Sequence, residues 1–237
     1  MKNLKKKMVL QVQKIAVYRD RLAVQLPERV IIYEPSGSSE DLHYRIKDKV
    51  IQPLECSLLV VTTRNLILYL DTRLQSLSFE GVVEREWILD APICYVKVLG
   101  GPAGQERLLA GLKNGQVMEI YLDNPFPVLL AKVEGAVKCF DVSSTKEKLA
   151  VVSDQGVLSV FDIFYDKKIQ EFQDVTSVAF NSAFEDMMCF SGHDYLAIKV
   201  ADFTEYKQKF AGIVVGLNGS RLYYLFGSSI ITMEVIE

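Results

Sequence analysis

The chain has 237 residues, 49% of them apolar and 24% charged, with a formal net charge of −3. That balance offers no bulk basic field for nucleic acid, and no run approaches the roughly 20 apolar residues of a helical membrane span. The length allows one or two domains with a sizeable core.

The start, MKNLKKK, concentrates Lys2, Lys5, Lys6 and Lys7. Residues 1–12 are read as a basic arm or strand: a solvated segment, or a contact for anionic lipid or an acidic partner. They do not read as a signal peptide, because Gln11, Gln13 and Lys14 interrupt the apolar stretch too early. Without a leader the chain is expected in the reducing cytosol or a connected compartment.

From residue 13 onward the pattern is strands in groups of about 40 residues, and no stretch shows a sustained helical period with caps. The first group, 13–53, carries two short strands between Val12 and Pro35, the loop Ser36–Asp41, and the charged strand HYRIKDKVI. The second, 55–90, contains Leu58–Val61 and Leu66–Leu70, nearly continuous in apolar residues as expected of strands buried on both faces. The third, 93–134, turns at Asn114-Gly115, which predicts a type I′ hairpin between Leu108–Leu112 and Val117–Tyr121.

The fourth, 136–173, is the most regular. Strands are predicted over Val137–Val142, Lys148–Val152, Val157–Phe164 and Ile169–Phe172, with a hairpin at Asp154-Gln155-Gly156. A fifth group spans 175–212, and 213–237 adds three more strands. Four antiparallel strands in about 40 residues make one propeller blade. The fold class expected is all-β, a degenerate WD40-type β-propeller, with a sandwich or barrel of the same strands as the alternative.

Seven blades of about 42 residues need near 290. The expectation is therefore an incomplete or open propeller of five full blades plus a partial one, or one in which Met1–Gln13 supplies a closing strand.

Reactive constellations were sought and are weak. Gly100-Gly101-Pro102-Ala103-Gly104 lacks the Gly-Lys-Ser/Thr and the helix of a phosphate-cradling loop. No Gly-x-Ser-x-Gly elbow occurs. Glu84 with Glu86, and Glu185 with Asp186, read as charged edges or turns rather than acid–base pairs. Ser191-Gly192-His193-Asp194 reads as a turn, since neighbours along a strand point different ways. Cys56, Cys94, Cys139 and Cys189 have no CxxC spacing and are expected as buried thiols, and His43 and His193 belong to no ligand set. No catalytic residue, cofactor or metal is expected. The 11 Tyr and 12 Phe lie mostly within strands rather than beside basic clusters, which argues against base stacking.

Two features suggest a partner surface. Phe126 stands in the proline-framed loop Asn124-Pro125-Phe126-Pro127, and Arg85 lies near the single tryptophan, Trp87. Loops on rigid β scaffolds carry binding, and Trp and Arg are enriched at interface hot spots, although Trp87 reads first as a core residue and Phe126 equally well as either.

The blades lack the Gly-His and Trp-Asp marks of regular WD repeats; Phe161-Asp162 and Ala201-Asp202 stand where Trp-Asp is expected. The stretches RLAVQLPERVIIYE, HYRIKDKVI, RLQSLSFEGVVEREW, GLKNGQV, KLAVV, EDMMCFSG and VVGLNGS together resemble the second propeller of the intraflagellar transport protein 122 family. That resemblance implies a non-catalytic WD-repeat scaffold subunit of intraflagellar transport complex A, serving retrograde transport, cilium assembly and receptor entry into cilia. It further implies the other complex A subunits as partners, a tubby-like adaptor and ciliary membrane cargo at one remove, and residence in cytoplasm, cilium and basal body. The family's first propeller and helical repeat tail lie outside this sequence. The alternative is a stand-alone peptide-binding WD-repeat module; for a phosphorylated or acidic motif it needs Arg or Lys converging on one face, and the loops show no such cluster.

Overall fold

A computed structural model describes residues 11–37, 41–51 and 53–235. The basic start, Met1–Lys7, lies outside the described residues. Among the described residues, twenty-three strands form six sheets, each with its strands side by side in chain order. The first sheet holds β1 (Lys14–Tyr18), β2 (Arg21–Leu26), β3 (Arg29–Gly37) and β4 (Leu42–Val50), and the second holds β5 (Leu58–Val61), β6 (Asn65–Leu70), β7 (Arg73–Ser78) and β8 (Val83–Ile88). The third is β9 (Ile93–Gly100), β10 (Arg107–Leu112), β11 (Gln116–Tyr121) and β12 (Val128–Lys132). The fourth is β13 (Val137–Val142), β14 (Lys148–Ser153), β15 (Leu158–Asp162) and β16 (Lys167–Phe172). The fifth is β17 (Ser177–Phe180), β18 (Met187–Ser191), β19 (Tyr195–Val200) and β20 (Tyr206–Lys209). The sixth is β21 (Ile213–Asn218), β22 (Arg221–Phe226) and β23 (Ser229–Glu234).

Each sheet is a blade, and the fold is an all-β propeller of six blades. This corrects the expectation of five full blades plus a partial one in an incomplete or open propeller. Residues 213–235 hold a three-stranded sheet of their own: β21–β23 form a hydrogen-bonded antiparallel sheet that buries Val214, Leu217 and Leu222 in a shared core. The seven-blade yardstick misled, because propellers form with about four to eight blades.

The first blade also holds one more strand than expected. β1 and β2 join through Arg19-Asp20, pairing Tyr18 with Arg21, and Arg19 takes φ 50°. A non-glycine residue supplies the left-handed turn, so the composition gives no punctuation there.

The turn at Asn114-Gly115 differs from the type I′ hairpin predicted. Only Gly115 has positive φ (84°), and its N–H bonds the Leu112 carbonyl at 3.1 Å. This is a three-residue connection with glycine at the left-handed position. The glycine is required: a Cβ there would stand 2.2 Å from the Val133 carbonyl oxygen. That crowding arises because Val133 N–H bonds the Gly115 carbonyl at 3.0 Å, tying the turn to the outgoing chain. Gly156 repeats the arrangement in the fourth blade, accepting from Val175 N–H at 2.8 Å.

The chain divides into two compact units. One takes the described residues of Met1–Asp90 with Val98–Leu108 and Ile120–Pro127; the other takes Ala91–Lys97, Leu109–Glu119 and the described residues of Val128–Glu237. In the first, Ala16, Ala23, Val30 and Ile32 pack against Leu59, Val61, Leu66 and Leu68 of the next blade. In the second, Ala150, Val152, Leu158 and Val160 meet Val178, Phe180, Met188 and Phe190. Middle strands are covered on both faces, which explains why β6 and β14 read as continuous apolar runs.

Polar side chains link successive blades. Asp141 on β13 receives the Lys97 ammonium from β9 and the Phe180 N–H from β17, the latter at 2.8 Å. Asn181, fully buried, donates to the Gly219 carbonyl at 2.8 Å and accepts from its N–H at 3.0 Å.

Candidate interaction surface

Trp87 sits on β8 with 1% of its surface exposed, because its position on β7–β8 pairs it with buried Leu74. Its indole Nε1 donates to the Asn124 carbonyl at 2.8 Å. Asn124 Oδ1 in turn accepts from Phe126 N–H at 2.9 Å, a turn in which the side chain stands in for a backbone carbonyl. Two of the three residues singled out from the sequence thus belong to one arrangement. Trp87 is the buried post, and Phe126, 74% exposed, is what the loop presents. Arg85 is half-buried on the same strand, opposite Ser76.

The position of Phe126 recurs. It lies between the third and fourth strands of its blade, just after Asp123. In the fourth blade the same turn follows Asp162 and exposes Phe164 and Tyr165, stacked edge to face with centroids 4.9 Å apart. In the fifth it follows Asp202 and exposes Phe203. Phe164 therefore lies beyond β15 rather than within the strand predicted over Val157–Phe164. The acid fixes the turn: Asp162 Oδ1 accepts from Tyr165 N–H at 2.9 Å. The sequence reading found one of these aromatics through its prolines; the shared signal, an acid one to three residues ahead of an aromatic, identifies all three.

The groups with reactive potential are committed to structure. Glu106, fully buried, accepts from Thr63 N–H at 3.0 Å and Gly104 N–H at 2.7 Å, so a carboxylate of the chain itself occupies the glycine-rich loop. Ser191 is buried and bonds Ser177 Oγ at 2.6 Å, while His193 is exposed. Glu84 accepts from Asn65, and Glu86 from Gln75, both at 2.6 Å. Glu185 accepts from Ser144 Oγ at 2.7 Å and Thr145 N–H at 2.8 Å. Burial raises its pKa, but the bonds from Ser143, Ser144 and Thr145 outweigh that and bring it to about 2.

The cysteines are less uniform than expected. Cys189 is buried, Cys56 and Cys139 are half-buried, and Cys94 is exposed. The expectation of four buried thiols is corrected at Cys94, which follows Ile93 at the start of β9, where both faces are open. Burial pushes the Cys139 thiol up to about 11 and raises Cys189 further, leaving both as inert thiols at neutral pH.

Residues 2–230 match the family model described as IFT122 second beta-propeller. Among curated proteins, the intraflagellar transport protein 122 homologs of Xenopus tropicalis and Mus musculus are each 48% identical over 225 residues, covering 94% of this chain and 19% of theirs. The Homo sapiens homolog is 49% identical over 225 residues, covering 94% of this chain and 18% of its own. The chain thus spans about a fifth of the length of the relatives it matches. On these matches the chain belongs to the intraflagellar transport protein 122 family, in the part described as its second β-propeller.

Proposed function

We propose that this chain is a non-catalytic scaffold module of intraflagellar transport complex A. It supports retrograde ciliary transport, cilium assembly and ciliary receptor trafficking through protein–protein contacts. Its direct partners are other complex A subunits, and a tubby-like adaptor and membrane cargo are reached through them. It works in the cytoplasm, the cilium and the basal body, with residues 1–12 as an arm and blades near 13–53, 55–90, 93–134, 136–173, 175–212 and 213–237.

The observation that carries this reading is the 48% identity to intraflagellar transport proteins over 94% of the chain. The chemistry of the chain supports it. Glu106, Ser191 and Glu185, the residues nearest to reactive motifs, hold turns and neighbouring blades together. Repeated blades offer several separate faces to partners without a buried reactive group.

The test is affinity purification of the tagged chain from ciliated cells. Recovery of complex A subunits is expected. Retrieval of one class of short peptide ligand with no transport subunit would overturn the scaffold reading.

A further inference from the structure

In a four-strand meander the first and third turns lie at the same end of the sheet. In the fourth blade this is visible as Ile163 N–H bonding the Glu147 carbonyl at 2.8 Å, and in the fifth as Ala201 N–H bonding the Asp186 carbonyl at 2.7 Å. The two ends are stitched together. Glu185 takes Ser144 and Thr145 across the gap, and Lys148 pairs with Asp186. The turns 143–147, 163–166, 181–186 and 201–205 therefore make one continuous surface.

That surface is aromatic. Phe164 is 82% exposed, Tyr165 and Phe203 74%, and Phe184 58%. Four large aromatics on neighbouring turns exceed the scattered apolar residues that a monomer surface ordinarily carries. Beside them runs a groove of about 380 Å³, in which buried Val160, Phe180 and Met188 and exposed Ile169 face Lys148 and Asp202.

The charges define the complement. The four turns hold Glu147, Asp166, Glu185, Asp186, Asp202 and Glu205 against Lys146. Nearby bases have partners within the chain: Lys148 with Asp186, Lys207 with Glu205, and Lys199 with the carbonyls of Ala201 and Phe203. With the two ion pairs set aside, Glu147, Asp166, Glu185 and Asp202 face Lys146, the adjoining Lys167 and Lys199, whose charge its carbonyl partners do not neutralise. The surplus is negative, as is the whole chain at −3. A surplus of that sign at this surface complements neither an anionic lipid nor another net-negative chain.

We infer that this end of the fourth and fifth blades is a docking surface for a partner segment that presents Lys or Arg beside large apolar side chains. The aromatics and the groove take its apolar groups, and the carboxylates at the rim take its cations. This rests on the scaffold reading only in that protein contact is the work of the chain.

The test uses the purified full chain and a labelled peptide of leucine and lysine at amphipathic helical spacing, with its leucine–glutamate counterpart. Binding of the lysine peptide alone is expected. Phe164→Ser combined with Phe203→Ser should weaken it by about tenfold or more, whereas Gln155→Ala, in a turn at the other end of the fourth blade, should not. Asp202→Lys should shift preference toward the glutamate peptide and keeps the test informative if the double variant folds poorly. Equal binding of both peptides, or no loss in either variant, overturns the inference. So does sedimentation with phosphatidylserine vesicles, or a dimer in solution, that the Phe substitutions abolish. Any of these failures leaves membership of the transport complex, measured in cells, untouched.

Discussion

The indole Nε1 of Trp87 donates a 2.8 Å hydrogen bond to the carbonyl of Asn124, fixing an exposed loop to a buried ring. Trp87→Phe keeps most of the apolar volume and removes the donor. A loss of roughly 1 kcal/mol is expected in chemical denaturation, with faster amide exchange across residues 122–127. Trp87→Ala adds a cavity and should cost roughly 3–5 kcal/mol.

Asn181 serves two blades at once. Replacing it by Ala leaves the Gly219 N–H and carbonyl without their partners and removes the acceptor for Ala183 N–H. A destabilisation of roughly 1–3 kcal/mol is expected from the bonds lost at this half-buried contact. Thermal unfolding of Asn181→Ala and Asn181→Asp separates the roles, since only Asp keeps the acceptor.

Glu185 gives a pH signature. Its pKa falls from the ordinary 4.5 to about 2 in the folded chain, so the unfolded chain binds its proton first on acidification. Its contribution to stability is complete above about pH 4.5 and is lost as pH drops toward 2. The wild-type and Glu185→Gln stability curves should be offset but parallel above pH 5 and converge below it, as followed by denaturation at a series of pH values. An offset unchanged down to pH 2 would show that the bonds to Ser144 and Thr145 do not distinguish the ionised carboxylate.

Gly111 on β10 allows close approach of the neighbouring blade. A Cβ there would meet Val137 Cγ1 at 2.4 Å and Phe140 Cε1 at 3.1 Å. Gly111→Ala should cost roughly 1–3 kcal/mol through overpacking. Val137→Ala in the same chain should return part of that loss, which a double-mutant cycle measures as coupling.

Strands were legible in the sequence because burial on both faces leaves continuous apolar runs, as in Leu66–Leu70 of β6. Turns were legible where glycine takes the left-handed position, at Gly115 and Gly156. They were not where Arg19 adopts φ 50°, since arginine carries no turn signal. Contacts between blades join residues about forty apart in sequence. Asp141 within Val137–Val142 carries no mark in sequence that sets it apart from an outward polar residue, and nothing near it announces Lys97 or Phe180. The candidate surface was half visible: the prolines around Phe126 marked an exposed aromatic, while Phe164 merged with the strand before it and nothing framed Phe203. Their repeated position shows only once the third-to-fourth-strand turns of different blades are compared.

Asp141 holds three successive blades through one carboxylate, with Lys97 on one side and Phe180 N–H on the other. Local opening of the fourth blade must therefore break the ion pair to the exposed Lys97 and strand the buried Phe180 amide together, which raises its free energy above that of a blade sharing only apolar surface. Amides of β13, β14, β17 and β18 should exchange with solvent through a common event, and a protease should find residues 137–191 nearly uncut until the whole unit gives way. Asp141→Ala should split that event into separate, earlier openings. A single side chain thereby determines whether this stretch behaves as a row of independent repeats or as one cooperative block.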